Sequence, residues 1–155
     1  MQQENELFDI SRNTWQSFSS TPLVRADSAP ENIQALPLQW FYCDLSNHQV
    51  FILGVDRIVG YQLAADMLNE AIDTLSVEAE QDAVVELVNC ICGQLDRDHP
   101  ANECFGVPGT LVIENMNRIF GSFNKLADVL PTVGDGNIYI ALFKAKNVED
   151  YGDVK

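Results

Sequence analysis

The chain has 155 residues, 46% of them hydrophobic, which suits a single domain (residues 1–155) with a core of its own. Nine basic residues against 23 acidic ones give a formal net charge of −14, a field that repels nucleic acid and anionic membrane surfaces. No apolar run approaches the ~20 residues of a membrane-spanning helix, and the start Met1-Gln2-Gln3-Glu4-Asn5-Glu6 has none of the character of a signal peptide, so the expectation is a cytoplasmic protein.

In chain order, Glu4 to Phe18 reads as a first helix, within residues 1–20, with Leu7, Phe8, Trp15 and Phe18 near helical spacing. Prolines and small polar residues from Pro22 to Pro37 mark a loop, with a short edge strand at Leu23–Ala26. Leu38–Leu45 and Gln49–Val55 form a hairpin turning through Ser46-Asn47-His48. Asp56 is placed to cap a helix to about Leu68, whose narrow polar strip (Gln62, Asp66, Asn69) implies burial over most of its circumference. A second long helix starts at Ser76, an N-cap residue, has Glu78 and Glu80 at its positive end, and stops at Asp98-His99-Pro100.

The last third reads as strands: Gly109–Glu114, Ile119–Phe123, Leu126–Val133 and Ile138–Ala145. Gly134-Asp135-Gly136-Asn137 is its hairpin turn, and Ile138 to Phe143, apolar on both faces, has the pattern of a central strand. Residues 147–155 read as a frayed tail. Helices interleaved with antiparallel hairpins predict an α+β fold, with helices packed on one face of an antiparallel sheet. The helix–strands–helix–strands order hints at two similar halves, although no sequence motif repeats.

Chemistry concentrates on the second long helix. Asp82, Glu86, Asn89 and Gly93 occur at i, i+4, i+7 and i+11. At about 100° per residue they fall within a ~60° stripe, opposite Val84, Leu87, Val88, Ile91 and Leu95. A carboxamide is neutral and offers both donors and an acceptor. It can therefore approach a phosphoryl dianion without repulsion and hold a water in line with phosphorus, as a glutamine does in small GTPases. Glu86, one turn earlier, is placed to meet a cation of a partner. Acidic and amide residues are also ordinary on solvated helix faces, so the row reads either as a site or as plain surface. Glu114-Asn115-Met116-Asn117 repeats the Glu-x2-Asn spacing, but is set aside because it falls where a strand runs into a turn.

The four cysteines offer no zinc or disulfide pattern. Cys90 and Cys92 stand two apart on a helix and so diverge; all four, with Cys43 and Cys104, read as small thiols in a reducing compartment. No Gly-rich phosphate loop with a lysine is present.

Asp82-Ala-Val-Val-Glu86-Leu-Val-Asn89-Cys-Ile-Cys-Gly93 resembles the signature of the CheC/CheX/FliY phosphatases of bacterial chemotaxis. In that family an Asp or Ser is followed by Glu four later and Asn three after that, with a glycine in the next turn of many members. The first helix carries Asp9 and Asn13 but no Glu-x2-Asn, so the single-motif CheX type is the nearer match. The family's proline lies farther beyond the asparagine than Pro108 lies beyond Asn89, which implies a shortened connection after the helix.

The resemblance implies a CheC-like pseudo-duplicated layout and a phosphatase acting on the phosphorylated aspartate of a CheY-like receiver. Glu86 would pair with a receiver lysine and Asn89 would orient water beside the receiver's own magnesium. Asp82 and Gly93 would belong to the docking surface. The chain would need no cofactor or metal of its own and would form a homodimer. The rival readings are a module that binds a receiver without hydrolysing its phosphate and a dimeric adaptor.

Overall fold

The computed structural model describes residues 2–26, 32–96 and 106–146. Six antiparallel strands form one sheet: β1 (Leu38–Leu45), β2 (Gln49–Asp56), β3 (Gly109–Thr110), β4 (Asn124–Val129), β5 (Thr132–Val133) and β6 (Gly136–Lys144). Their order is β3-β1-β2-β6-β4, with β5 folded back on β6. The helices are α1 (Gln2–Phe18), α2 (Arg57–Leu68), α3 (Val77–Leu95) and α4 (Ile113–Ser122).

Both expected hairpins form, and their turns explain them. Asn47 and His48 adopt φ of 60° and 58° between paired Leu45 and Gln49. Left-handed turn residues match the twist of the flanking strands, and asparagine tolerates that region better than most residues. Gly134, at φ 57°, opens the two-residue turn between Val133 and Gly136.

The strands bury both faces. Phe41, Phe51, Leu53, Val55, Ile138 and Ile140 belong to one core, together with side chains of α1, α2 and α3. Trp40, Val50, Ile52, Tyr139, Ala141 and Phe143 alternate onto the other face and form a second core with Met116 and Ile119 of α4 and with Ile33. The α+β antiparallel architecture is therefore as expected. The three long helices share one face, and α4 adds a cover on the other.

That fourth helix is the main departure from the sequence reading. Gly109–Glu114 and Ile119–Phe123 were expected as strands, yet only Gly109–Thr110 pairs in the sheet and Ile113–Ser122 is helical. Met116, Ile119, Phe120 and Phe123 stand at i, i+3, i+4 and i+7, the spacing of an amphipathic helix, and all four pack into the second core. The reason for setting aside Glu114 and Asn117 therefore fails. Both are exposed on a helix, followed one turn later by exposed Gly121, but on the face of the sheet away from α3.

Smaller differences follow. The Leu23–Ala26 edge strand reduces to one bridge between Val24 and Thr132. Asp56 stands at the N-cap of α2 but its side chain makes no capping bond, and Ile58 and Leu68 are exposed, so less of α2 is buried than its composition implied. Asp98-His99-Pro100, Cys104 and residues 147–155 lie outside the described residues. No described helix is long and apolar enough to cross a membrane.

The inner face of α3 is closed: Val84 and Val88 are wholly buried, and Leu87 and Ile91 nearly so. Ile91→Ala should destabilise the domain by about 2–4 kcal/mol through lost burial and a cavity. Asn89→Ala should leave the melting curve almost unmoved. Chemical denaturation of the two variants checks the orientation of the helix, and the opposite ranking would mean that α3 is rotated.

Candidate functional site

The candidate row depends on how firmly α3 is held. Ser76 caps it, its Oγ accepting the amide hydrogen of Ala79 at 3.1 Å. At the far end, Asp96 Oδ2 accepts from the backbone amide of Ser46 (3.3 Å) and from its hydroxyl (3.1 Å), tying the helix to the turn of the first hairpin. In the same last turn, Gln94 Nε2 donates to Thr14 Oγ1 of α1 at 2.9 Å.

A further tie was not foreseen. Glu80, read from the sequence only as an acid at the positive end of the helix, has no exposed surface. Gln39 Nε2 of β1 donates to both of its carboxylate oxygens, at 3.0 and 3.1 Å, and Arg57 Nη1 at the start of α2 lies 3.5 Å away. Gly60 of α2 leaves the room: a Cβ there would stand 2.4 Å from Glu80 Oε2. One carboxylate thus joins α3, α2 and the sheet. The sequence signal was Gly60 itself, a glycine inside a helix, which marks close approach of another group.

With α3 fixed, the row emerges on its outer side. Asp82 and Glu86 are exposed, whereas Asn89 and Gly93 are half-buried, so the amide sits lower than the periodicity implied. The Asn89 side chain makes no hydrogen bond to the described residues. Cys90 Sγ lies 3.4 Å from Glu86 Oε1. Burial, and then the hydrogen bond to Glu86, raise the Cys90 thiol above its usual value, so it stays protonated as the donor. The arrangement offers an anchoring carboxylate one turn from a neutral amide whose donors and acceptor are unspent.

Other sequence candidates fall elsewhere. Asp9 and Asn13 are exposed on α1, where Asp9 pairs with Arg12 at 3.3 Å. Glu114, Asn117 and Gly121 share the outer side of α4, but the residue matching Asp82 in spacing is Thr110, which lies in β3. Cys43 and Cys92 are buried free thiols. Among the described residues, no group of three His, Cys, Asp or Glu side chains is placed to hold a metal ion.

Glu80 titrates unusually. Burial holds its carboxyl above the ordinary value of 4.5, outweighing the lowering effects of Gln39 and Arg57. The folded state therefore keeps this proton to higher pH than the unfolded chain does. That contribution favours folding at low pH and is lost as pH rises from about 4.5 through the folded value. In urea titrations, Glu80→Gln should gain stability relative to the parent between pH 4 and pH 7. A difference of the opposite slope would mean that the pairing with Gln39 and Arg57 prevails over burial.

No protein-family model and no curated protein matches the chain. Solved structures do. CheX from Borrelia burgdorferi, in its complex with CheY, BeF3 and Mg2+, superposes with a TM-score of 0.64 at 16% identity, covering 91% of this chain and 96% of that one. The chemotaxis protein CheX from Vibrio vulnificus gives 0.60 at 13% identity, over 90% and 96%. A CheC-like superfamily protein from Shewanella sp. PV-4 gives 0.60 at 15%, over 90% and 94%. At such identities the likeness is one of fold: the chain is built as these chemotaxis proteins are.

Proposed function

We propose that this protein is a CheX-type phosphatase that docks on a phosphorylated CheY-like receiver and hastens hydrolysis of its aspartyl phosphate. The observation that carries the reading is the row Asp82-Glu86-Asn89-Gly93 on the outer side of a helix whose inner side is locked in the core, within a fold shared with a protein solved in complex with CheY. The receiver supplies the phosphoryl group and its magnesium, and this chain supplies orientation. Glu86 meets a receiver lysine and fixes the angle of approach. Asn89, neutral and unspent, donates to or accepts from the attacking water and holds it in line with phosphorus. An amide is too weakly basic to remove a proton, so the gain comes from position. The row on α3 is preferred to that on α4 because it carries Asp82 on the same helix, whereas the matching position before Glu114 is Thr110 in β3.

Phosphate release from a panel of phosphorylated receivers of the same cell tests this. Asn89→Ala should slow stimulated hydrolysis by a factor of roughly 100 or more, a few kcal/mol of transition-state stabilisation. Asn117→Ala should leave it unchanged. Full activity without the Asn89 amide would sink the mechanism, and loss of activity in the Asn117 variant instead would move the site to α4.

Glu86 should act on docking. Glu86→Lys should weaken receiver binding more than Glu86→Ala does, since it sets like charges together at the contact. The gap between the two should narrow as salt is raised. Equal affinities across ionic strengths would reduce Glu86 to a solvated surface residue.

A further inference from the structure

The row is too small to hold a partner by itself. A specific interface covers roughly 800 Å2 on each side, with an apolar centre and a polar rim. Three polar side chains spread over about 10 Å of helix provide a rim and no centre.

The centre lies beside Asp82. A groove of about 230 Å3 runs between the end of α2 and the first half of α3, lined by Met67, Leu68, Ala79, Asp82 and Ala83. The two alanines leave room on the α3 side, and Leu68, half exposed, forms the wall. Asp82 belongs to both features: it opens the row along α3 and edges the groove across it. Glu86 stands one turn, ~6 Å, farther on.

Charge narrows the choice of occupant. Glu70, Asp73, Glu78, Asp82 and Glu86 are all exposed in this stretch, and the sequence has no lysine or arginine between Arg57 and Arg97. An apolar groove in a wholly acidic setting favours an apolar side chain with cations around it. A second copy of this chain, at −14, would set acid against acid if the same faces met.

We infer that the groove receives one apolar side chain, flanked by lysine or arginine, from the same receiver whose phosphoryl group faces Asn89. The inference rests on the proposed phosphatase reading and assigns receiver selection to Met67, Leu68, Ala79 and Ala83. Receivers that lack an apolar residue at the matching distance from their phosphorylated aspartate are poor substrates, however well their active sites fit Glu86 and Asn89.

The test is a split between KM and kcat. Leu68→Ser shortens an exposed wall, and Ala79→Gln fills the groove from a half-buried position; melting curves confirm that both fold. On the receiver that the parent protein dephosphorylates, each variant should raise KM about tenfold or more and leave kcat at saturation unchanged. Asn89→Ala should lower kcat instead. Unchanged KM in both groove variants, with the parent active, would overturn the groove and leave the phosphatase reading standing. A change in oligomeric state on Leu68→Ser, read by light scattering, would assign the groove to a second copy and overturn the inference. If the parent dephosphorylates no receiver, the phosphatase reading falls. Titration with BeF3-activated receivers then decides the groove: binding weakened by Leu68→Ser upholds it, and absence of binding by the parent overturns it too.

Discussion

The central pairing of β2 with β6 governs the molecule, because each strand serves two cores at once. Seven residue pairs, from Gln49 opposite Lys144 to Val55 opposite Ile138, join them. A slip of one residue would carry Phe51 and Leu53 into the space shaped for Val50 and Ile52. Both faces are apolar, so polarity alone cannot forbid that slip; shape must. Gly54 supplies part of the answer. It lies opposite Trp40, and a Cβ at that position would stand 2.8 Å from the indole ring. Trp40 in turn meets Phe120 and Tyr139 edge to face, at 5.9 Å in both cases. The register is thus set by one wide residue seated over one bare one, and α4 is held by the same aromatic group.

The parts of this fold that were legible are those whose information is local. β1, β2 and β6 announce themselves by apolar runs bounded by turn residues, and α3 by a serine cap and a stripe that keeps helical phase from Val84 to Ile91. α4 was misread because Gly109 to Ile113 is rich in β-branched residues and runs directly into a short helix, so the extended signal masked the i, i+3, i+4, i+7 set behind it. The exposed Ile58 and Leu68 deceive in another way: composition says buried, and only the placement of the neighbouring elements says otherwise. Glu80 was the least legible. Its partners, Gln39 and Arg57, are remote in sequence, and nothing near it distinguishes a buried carboxylate from one that merely favours a helix start.

The candidate row was legible for a related reason: its residues belong to one helix, and helical geometry is enough to align them. What the sequence did not carry is the depth of each. Asn89 sits lower than Glu86, so the carboxylate stands proud and the amide waits behind it. Under the proposed function, such a step suits an approach in which the receiver's charge is met first and its reacting atoms last. Rigidity serves the same end. Under the proposed mechanism the amide has to hold a water within a fraction of an ångström, which a rocking helix would prevent; α3 is bonded to the sheet or its turn near both ends.

The vacancy at Gly60 has a consequence for inheritance. Replacing a helical glycine with alanine ordinarily stabilises a protein, because the unfolded chain loses freedom. Here the added methyl would collide with a buried carboxylate held by Gln39 and Arg57, so a routine improvement becomes damage. Positions 60 and 80 can drift only as a pair: a larger residue at the first demands a shorter one at the second. Among chains that share this fold, these two positions should vary together, and a change at one without the other should mark a chain in which α3 is set differently against the sheet.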